Sequence, residues 1–250
     1  MIPAALRVNQ LSYGYRAPLF EPLTFCCQKG EIWTVLGRNG LGKSTLLDTL
    51  TGTLPALGGS IENNGGIGIV AQHSHLPFPY TVSDVVLMGR AQHVKLFAQP
   101  SPQDQKRAMQ ALEQLNIAHL ASSSFGSLSG GQQQLVMIAR ALVTECQTLL
   151  LDEPCSALDL ANQQVVLQLI SDLAHQQGCS ILFSTHDPLH ALQVASHTLL
   201  LLPEGKWRAG PTNSIVTEEN LFLAYGLTLR KLNVENYQTP FIAPLFSIRR

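Results

Sequence analysis

Charge is scarce in this 250-residue sequence: Asp, Glu, Lys and Arg make up 13% of it, with 16 basic residues against 17 acidic ones and a formal net charge of -1. So small and even a balance leaves no basic stripe, which excludes the electrostatic footprint of a nucleic-acid-binding protein. Long apolar runs are missing as well. The stretches "TLLLLP" and "LVMIARALV" are too short, or too interrupted by charge, for the roughly 18 to 20 residues of a membrane-spanning helix. The opening "MIPAALRVNQ" lacks the charged head and apolar stretch of a secretory signal. Together these absences lead to the expectation of a cytoplasmic chain. The five cysteines (Cys26, Cys27, Cys146, Cys155, Cys179) are odd in number and show no C-x-x-C spacing, which argues against a disulfide framework or a zinc site and fits a reducing compartment. There is no internal repeat and no low-complexity segment.

What is abundant is apolar residue. At 45% hydrophobic content and a mean hydropathy of +0.12, the chain is greasy for a freely soluble protein and has room for a large partner interface. Its length allows a substantial core in one or two domains. Strands are expected at "LRVNQLSYGY", "LTFCCQ" and "EIWTVL", and then a glycine loop leads into the helix "STLLDTLTG", closed by Gly52. "GSIENNGGIGIVAQ" reads as two short strands around an Asn-Gly turn. From Pro77 to Val143 the pattern turns helical, with Ser83 expected to cap one helix and Ser101, followed by Pro102, to cap the next. Beyond it, the buried strands "TLLLDEP", "SILFSTHD" and "TLLLLPEG" alternate with the helix "ANQQVVLQLISDLAHQQG", which Gly178 ends. Strand and helix alternate on either side of one helical insert, the pattern of an open, mostly parallel α/β sheet carrying a smaller all-helical subdomain.

The stretch "GRNGLGKST", residues 37–45, matches G-x-x-x-x-G-K-[ST] in the context that pattern needs, after an apolar strand and before a helix. Gly37, Gly40 and Gly42 let backbone N–H groups wrap phosphates; Lys43 would reach the β- and γ-phosphates and Ser44 would ligate Mg²⁺. "TLLLDEP" delivers two carboxylates to the same end of a parallel sheet. Neighbouring strand residues point to opposite faces, so Asp152 is expected on the Mg²⁺ side, through water, and Glu153 as the base that activates water, with a helix-capping charge as the alternative for Glu153. A second bare helix start lies at "LSGGQ", residues Leu128, Ser129, Gly130, Gly131 and Gln132, and such an end also favours an anion.

These three motifs together resemble the ATP-binding subunits of ABC transporters over nearly the whole chain. The resemblance implies a P-loop NTPase of ABC type whose mostly parallel sheet carries an antiparallel β subdomain and an inserted all-helical subdomain. It implies ATP and Mg²⁺ as cofactors, and a nucleotide-binding core at residues 1–75 and 144–210, a helical subdomain at 76–143 and a C-terminal helical tail at 211–250. Two copies would pack head to tail, the "LSGGQ" of one closing over the nucleotide cradled by Gly37, Arg38, Asn39, Gly40, Leu41, Gly42, Lys43, Ser44 and Thr45 of the other. Gln72 resembles the glutamine that touches Mg²⁺ and links the site to the helical subdomain, His186 the switch histidine at the γ-phosphate, and Asp159 the acidic residue of the loop that crosses the dimer. Tyr15, with Tyr13 as the alternative, would stack on adenine. The implied partners are integral membrane permease subunits, and through them a substrate-binding protein, with the chain peripheral on the inner face of the cell membrane.

Gln133 and Leu135 stand where relatives carry arginine, so the dimer interface is expected to differ there, and Cys155 stands in a threonine place. His73 and His75 form an H-x-H that reads as a solvated loop or, with further ligands, a metal site. "YTVSDVVLMGR" and "TEENLFLAYGL" resemble the importers of metal chelates (iron-siderophore, haem, cobalamin), and the region "PFPYTVSDVVLMGRAQHVKLFAQP" looks most like a molybdate or tungstate branch, with a permease groove expected near Pro77 to Arg90. A soluble ABC-type ATPase would show a coiled-coil insert, a basic surface or tandem cassettes, and a metabolic P-loop kinase would lack "LSGGQ".

Overall fold

The computed structural model describes residues 4–71, 78–94, 99–156, 158–237 and 239–246. In chain order the strands are β1 (Ala4–Ser12), β2 (Leu23–Gln28), β3 (Ile32–Leu36), β4 (Gly58–Asn63), β5 (Ile67–Val70), β6 (Thr148–Leu151), β7 (Ser180–Thr185), β8 (His197–Leu201), β9 (Trp207–Pro211), β10 (Leu229–Leu232) and β11 (Phe241–Pro244). The α-helices are α1 (Lys43–Leu50), α2 (Val82–Met88), α3 (Pro102–Gln114), α4 (Gly130–Leu142), α5 (Leu160–Gln177), α6 (Pro188–Val194), α7 (Thr212–Ile215) and α8 (Glu218–Tyr225).

The main sheet runs β5-β6-β7-β3-β8-β9, parallel except for β9. Its central strands β3, β6 and β7 are buried at every position, which is why "IWTVL", "TLLL" and "SILFST" read as unbroken apolar or small-residue runs: helices cover both faces of a parallel sheet. One face carries α5 and the helical insert, with Val85, Val86, Leu112, Val136, Ile138, Leu167 and Ile170 packing in a common core with Leu149, Leu151 and Phe183. On the other face Leu46, Leu47 and Leu50 of α1 meet Val35, Leu150 and Leu199, and Leu6, Val8 and Phe25 extend that core into the antiparallel sheet β2-β1-β4. Parallel order places the C-terminal ends of β3, β6 and β7 side by side, and the loops leaving them carry the glycine loop, Asp152 with Glu153, and His186.

Several local expectations change. The strands around "ENNGG" do not pair: β4 joins β1 in the antiparallel sheet and β5 joins β6 in the main sheet. Gly65 (φ 106) and Gly66 (φ 81) turn the chain from one layer to the other, because β5 buries more beside the apolar β6 than a free hairpin could bury alone. Thr81, not Ser83, caps α2; it bonds reciprocally with Asp84 three residues on, a closure that Ser83 cannot form from inside the first turn. Ser101 caps α3 as expected, with Pro102 in the first turn and Asp104 completing the box. The tail is not all helical: after α7 and α8 it ends in the β10–β11 hairpin, whose Leu229 and Ile242 share a core with Leu36, Ala191 and Leu221.

Candidate nucleotide site

The chain leaves β3 at Leu36 and enters α1 through a loop that glycine makes possible. Gly40 (φ 81) and Gly42 (φ 88) hold left-handed backbone that other residues adopt only at a cost. A Cβ on Gly40 would meet nothing within 4 Å, so the loop's outer rim is open, and Gly42 caps α1 with no side-chain bond to its first N–H groups. Lys43 folds back into the loop. Its Nζ donates to the carbonyls of Gly37 (3.0 Å) and Arg38 (3.2 Å) and to Asn39 Oδ1 (3.3 Å), with the amine nearly sealed from solvent. Gly37 N–H in turn donates to the carbonyl of Thr185, tying the loop to the end of β7.

Two carboxylates converge on this loop from β6. Glu153 Oε1 lies 3.0 Å from Lys43 Nζ, and its Oε2 lies 3.2 Å from Nδ1 of the half-exposed His186. Asp152 takes a 2.5 Å hydrogen bond from the Ser184 hydroxyl, which accepts from Glu153 N–H at 2.9 Å. The two carboxylates do have different partners, Ser184 for Asp152 and Lys43 with His186 for Glu153, but strand alternation is not the cause. Both lie beyond the last residue of β6, and the left-handed backbone of Glu153 (φ 45) turns its side chain toward Lys43. An ion pair this buried is held by geometry rather than by net attraction, since desolvation offsets most of the Coulomb gain.

The residues present fit a magnesium-bound nucleotide. Ser44, exposed on the first turn of α1, and Asp152 are hard oxygen donors, and Mg²⁺ is ordinarily held by one or two such groups together with substrate phosphates. Among the described residues no cluster of three or more His, Cys, Asp or Glu could hold a metal without such help. Burial and the nearby Asp152 push the Asp48 carboxyl above its ordinary range, an acidic neighbourhood that a cation would relieve.

The remaining site residues are dispersed. Tyr13 is fully buried and stacked on Phe20, so of the two tyrosines only the exposed Tyr15 offers a ring face. Leu128 and Ser129 lead into α4, where Ser129 and Gln132 bond each other in a capping box and leave Gly130 and Gly131 as the first helical residues. A Cβ on Gly130 would meet nothing within 4 Å, so this helix start faces away from its own chain. Asp159 is exposed and caps α5 through Asn162 N–H at 2.8 Å. Gln72, His73, His75 and Pro77 lie outside the described residues.

Two expectations are corrected. Leu135 is a core residue of the helical insert, and Gln133 donates to the carbonyls of Phe125 and Leu128 within its own chain, so the departure at Leu135 repacks the interior rather than the interface. Arg90 is no groove residue: it is buried and paired with Asp104 (2.9 Å) and Glu145 (3.0 Å), so reversing its charge would test folding before docking. Ser184 and Tyr225 were missed. Ser184 had a faint signal, a hydroxyl near the end of a buried strand beside the carboxylate strand. Tyr225 had none, since its hydroxyl reaches the His186 carbonyl (2.8 Å) only because the tail folds back. Burial, with the Asp187 and Glu153 carboxylates nearby, raises the Tyr225 phenol and keeps it a donor.

The model of the ABC transporter family matches residues 20–156. Over 247 residues the chain is 47% identical to the molybdate import ATP-binding protein MolC of Haemophilus influenzae, covering 97% of each. It is 35% identical to the ferric enterobactin transport ATP-binding protein FepC of Escherichia coli, covering 97% of this chain and 94% of that one. Among solved structures, a metal-chelate type ABC transporter in an inward-facing conformation superposes with a TM-score of 0.92 at 46% identity, covering 98% of both chains.

Proposed function

The chain belongs to the ATP-binding subunits of ABC transporters, ATPases coupled to import, and from that membership we propose that it powers uptake of a metal oxyanion, molybdate or tungstate, ahead of an iron-siderophore, haem or cobalamin. What supports the cargo is near full-length similarity to a molybdate importer's ATP-binding protein, together with the region around "YTVSDVVLMGR". What supports the site is one observation above the rest: Lys43 at the start of α1 and His186 just after β7 each lie within 3.2 Å of the Glu153 carboxylate, which follows β6, at the mouth of the glycine loop.

In this reading the backbone of residues 37–45 wraps the phosphates, Lys43 holds the β- and γ-oxygens, and Tyr15 stacks on the adenine. Ser44 and Asp152 would hold Mg²⁺, the latter through water, and Gln72 would complete that shell; the ion supplies charge neutralisation at the transferring phosphoryl group. Glu153 takes the proton of the attacking water, and His186 orients the γ-phosphate. Ser184 holds the Asp152 carboxylate and the Glu153 backbone N–H at once. Leu128, Ser129, Gly130, Gly131 and Gln132 close over the nucleotide of a second, head-to-tail copy, and Asp159 crosses the interface beside them.

No helix of the described residues is long and apolar enough to span a membrane. In this reading the path for cargo belongs to permease subunits. We place the chain on the cytoplasmic face of the membrane, where the helical insert at 76–143 transmits closure to them. The test is to co-purify the membrane partner and measure ATP-driven uptake of molybdate against an iron chelate in sealed vesicles. Molybdate uptake that needs ATP and Glu153 supports the reading; uptake of the chelate alone refutes the cargo. ATPase activity indifferent to the permease would mark a soluble ABC-type ATPase instead.

A further inference from the structure

The side chain of Gln163 on α5 links the loop that follows Glu153 to the helix that follows His186. Its Nε2 donates to the carbonyls of Leu158 (3.0 Å) and Cys155 (3.5 Å), in the segment 155–158 that precedes Asp159. Its Oε1 lies 3.4 Å from Nε2 of His190, on α6 just past His186. His190 Nδ1 lies 3.1 Å from the Thr185 hydroxyl, and that oxygen accepts from Asp187 N–H at 3.1 Å.

Elementary donor and acceptor accounting gives this chain one direction. Carbonyls only accept, so the Gln163 amide nitrogen must face Cys155 and Leu158, and its oxygen must face His190. His190 therefore carries its proton on Nε2, its Nδ1 accepts, and the Thr185 hydroxyl donates to it. Burial holds His190 below the ordinary histidine range; the Asp187 carboxylate, 3.8 Å away, works in the opposite direction without reversing it. A neutral ring with a single tautomer is what the chain requires. Beside it lies a cavity of about 90 Å³ whose walls include Glu153, Gln163, His186 and His190, so the relay borders the base itself.

We propose that Gln163 and His190 are positioning residues for hydrolysis. They tie the loop that meets the second copy to the turn bearing His186, so that seating of that loop sets where the His186 imidazole stands relative to Glu153. The inference rests on the reading above that the segment ending in Asp159 crosses the dimer.

The experiment uses the full-length chain, with steady-state ATPase measured at protein concentrations that saturate activity. Gln163→Leu and His190→Leu are each expected to lower kcat about 3- to 10-fold, the worth of one neutral hydrogen bond expressed in a transition state, with KM for ATP and the melting temperature unchanged. The double variant should lose no more than either single one, because both break one chain. His190→Gln, which can donate to Gln163 and accept from Thr185, should recover most of the rate. Should Gln163→Leu fold poorly, Gln163→Glu keeps the acceptor for His190 while setting a carboxylate against the two carbonyls, and the same loss is expected.

Parental kcat in the Gln163 variants, fully multiplicative losses, or His190→Gln as damaged as His190→Leu would each overturn the relay. ATP-dependent dimerisation of Glu153→Gln, followed by size-exclusion chromatography, separates the two levels. No dimer overturns the cross-dimer reading and the relay with it, whereas a dimer combined with parental Gln163 variants overturns the relay alone.

Discussion

Replacing Gly130 with alanine distinguishes what α4 does for its own chain from what it does for a second one. In this chain the new Cβ would meet nothing within 4 Å, and Gly130, unlike Gly40 or Gly42, does not hold a left-handed backbone. Removing a glycine from the first turn of a helix narrows the unfolded ensemble, stabilising by about 0.4–1 kcal/mol. For a chain of this size that raises Tm by about 1–4 °C. If the bare start of α4 closes over a phosphate carried by the second copy, the methyl group occupies the space the phosphate needs. Losing one hydrogen bond to a charged group, about 1.5–3 kcal/mol, lowers ATPase about 10- to 150-fold. The assay pairs thermal unfolding with ATPase measured over a range of protein concentrations. A variant that melts no lower than the parent yet loses its concentration-dependent rate is the expected result. Near-parental activity at every concentration would refute the cross-subunit role, and a fall in Tm would refute the claim that Gly130 faces away from its own chain.

Glu153→Gln removes the carboxylate proposed as the base and one partner of Lys43, and turnover should fall at least about 100-fold while an ATP-dependent dimer accumulates on size exclusion; near-parental hydrolysis would sink the base assignment. Gly89→Ala sets a Cβ 2.1 Å from the Arg140 carbonyl and 2.7 Å from Val143 Cγ2, where α2 ends against α4. The backbone there is ordinary (φ -64), so the cost is overpacking, about 1–3 kcal/mol, and thermal melts should drop by about 2–12 °C while Gly126→Ala, with no neighbour within 4 Å, does not. Hydrogen bonds from Ser101 and then Arg90 hold the Asp104 carboxyl down to about 2 against an ordinary 3.8. A depressed carboxylate stabilises the fold above the unfolded value, and that contribution is lost as pH falls through the folded one. The stability gap between the parent and Asp104→Asn should therefore stay constant above about pH 4 and close toward pH 2 in acid unfolding followed by circular dichroism. Tyr225→Phe deletes the donor to the His186 carbonyl and should lower kcat about 2- to 10-fold with KM unchanged, checked by steady-state ATPase.

Much of the candidate site's geometry was legible in one dimension because it is backbone geometry. "GRNGLGKST" needs glycine at the positions where the chain turns left-handed, and Gly40 and Gly42 do so; "TLLLDEP" and "STHD" put polar residues at the ends of strands too apolar to be anything but central. Local spacing also sufficed for Ser101 as a cap and Gly178 as a helix stop. Residue type alone misled where a partner lay far away in sequence. Leu135 in an arginine place suggested an interface, yet its neighbours are the core of the helical insert; Arg90 suggested an exposed groove, yet Asp104 and Glu145 bury it.

By itself, then, the sequence determined the elements and the motif residues, because helix periodicity, strand burial and glycine turns are short-range properties written within ten or twenty positions. Tertiary structure alone decided which side chains share a point in space. Ser184 between Asp152 and Glu153, Gln163 between Leu158 and His190, Tyr225 on the His186 carbonyl and β4 parting from β5 all depend on contacts between segments whose pairing is selected by burial in the whole fold. Hydrogen bonds of this kind span 27 to 39 residues of sequence, and no local pattern encodes them.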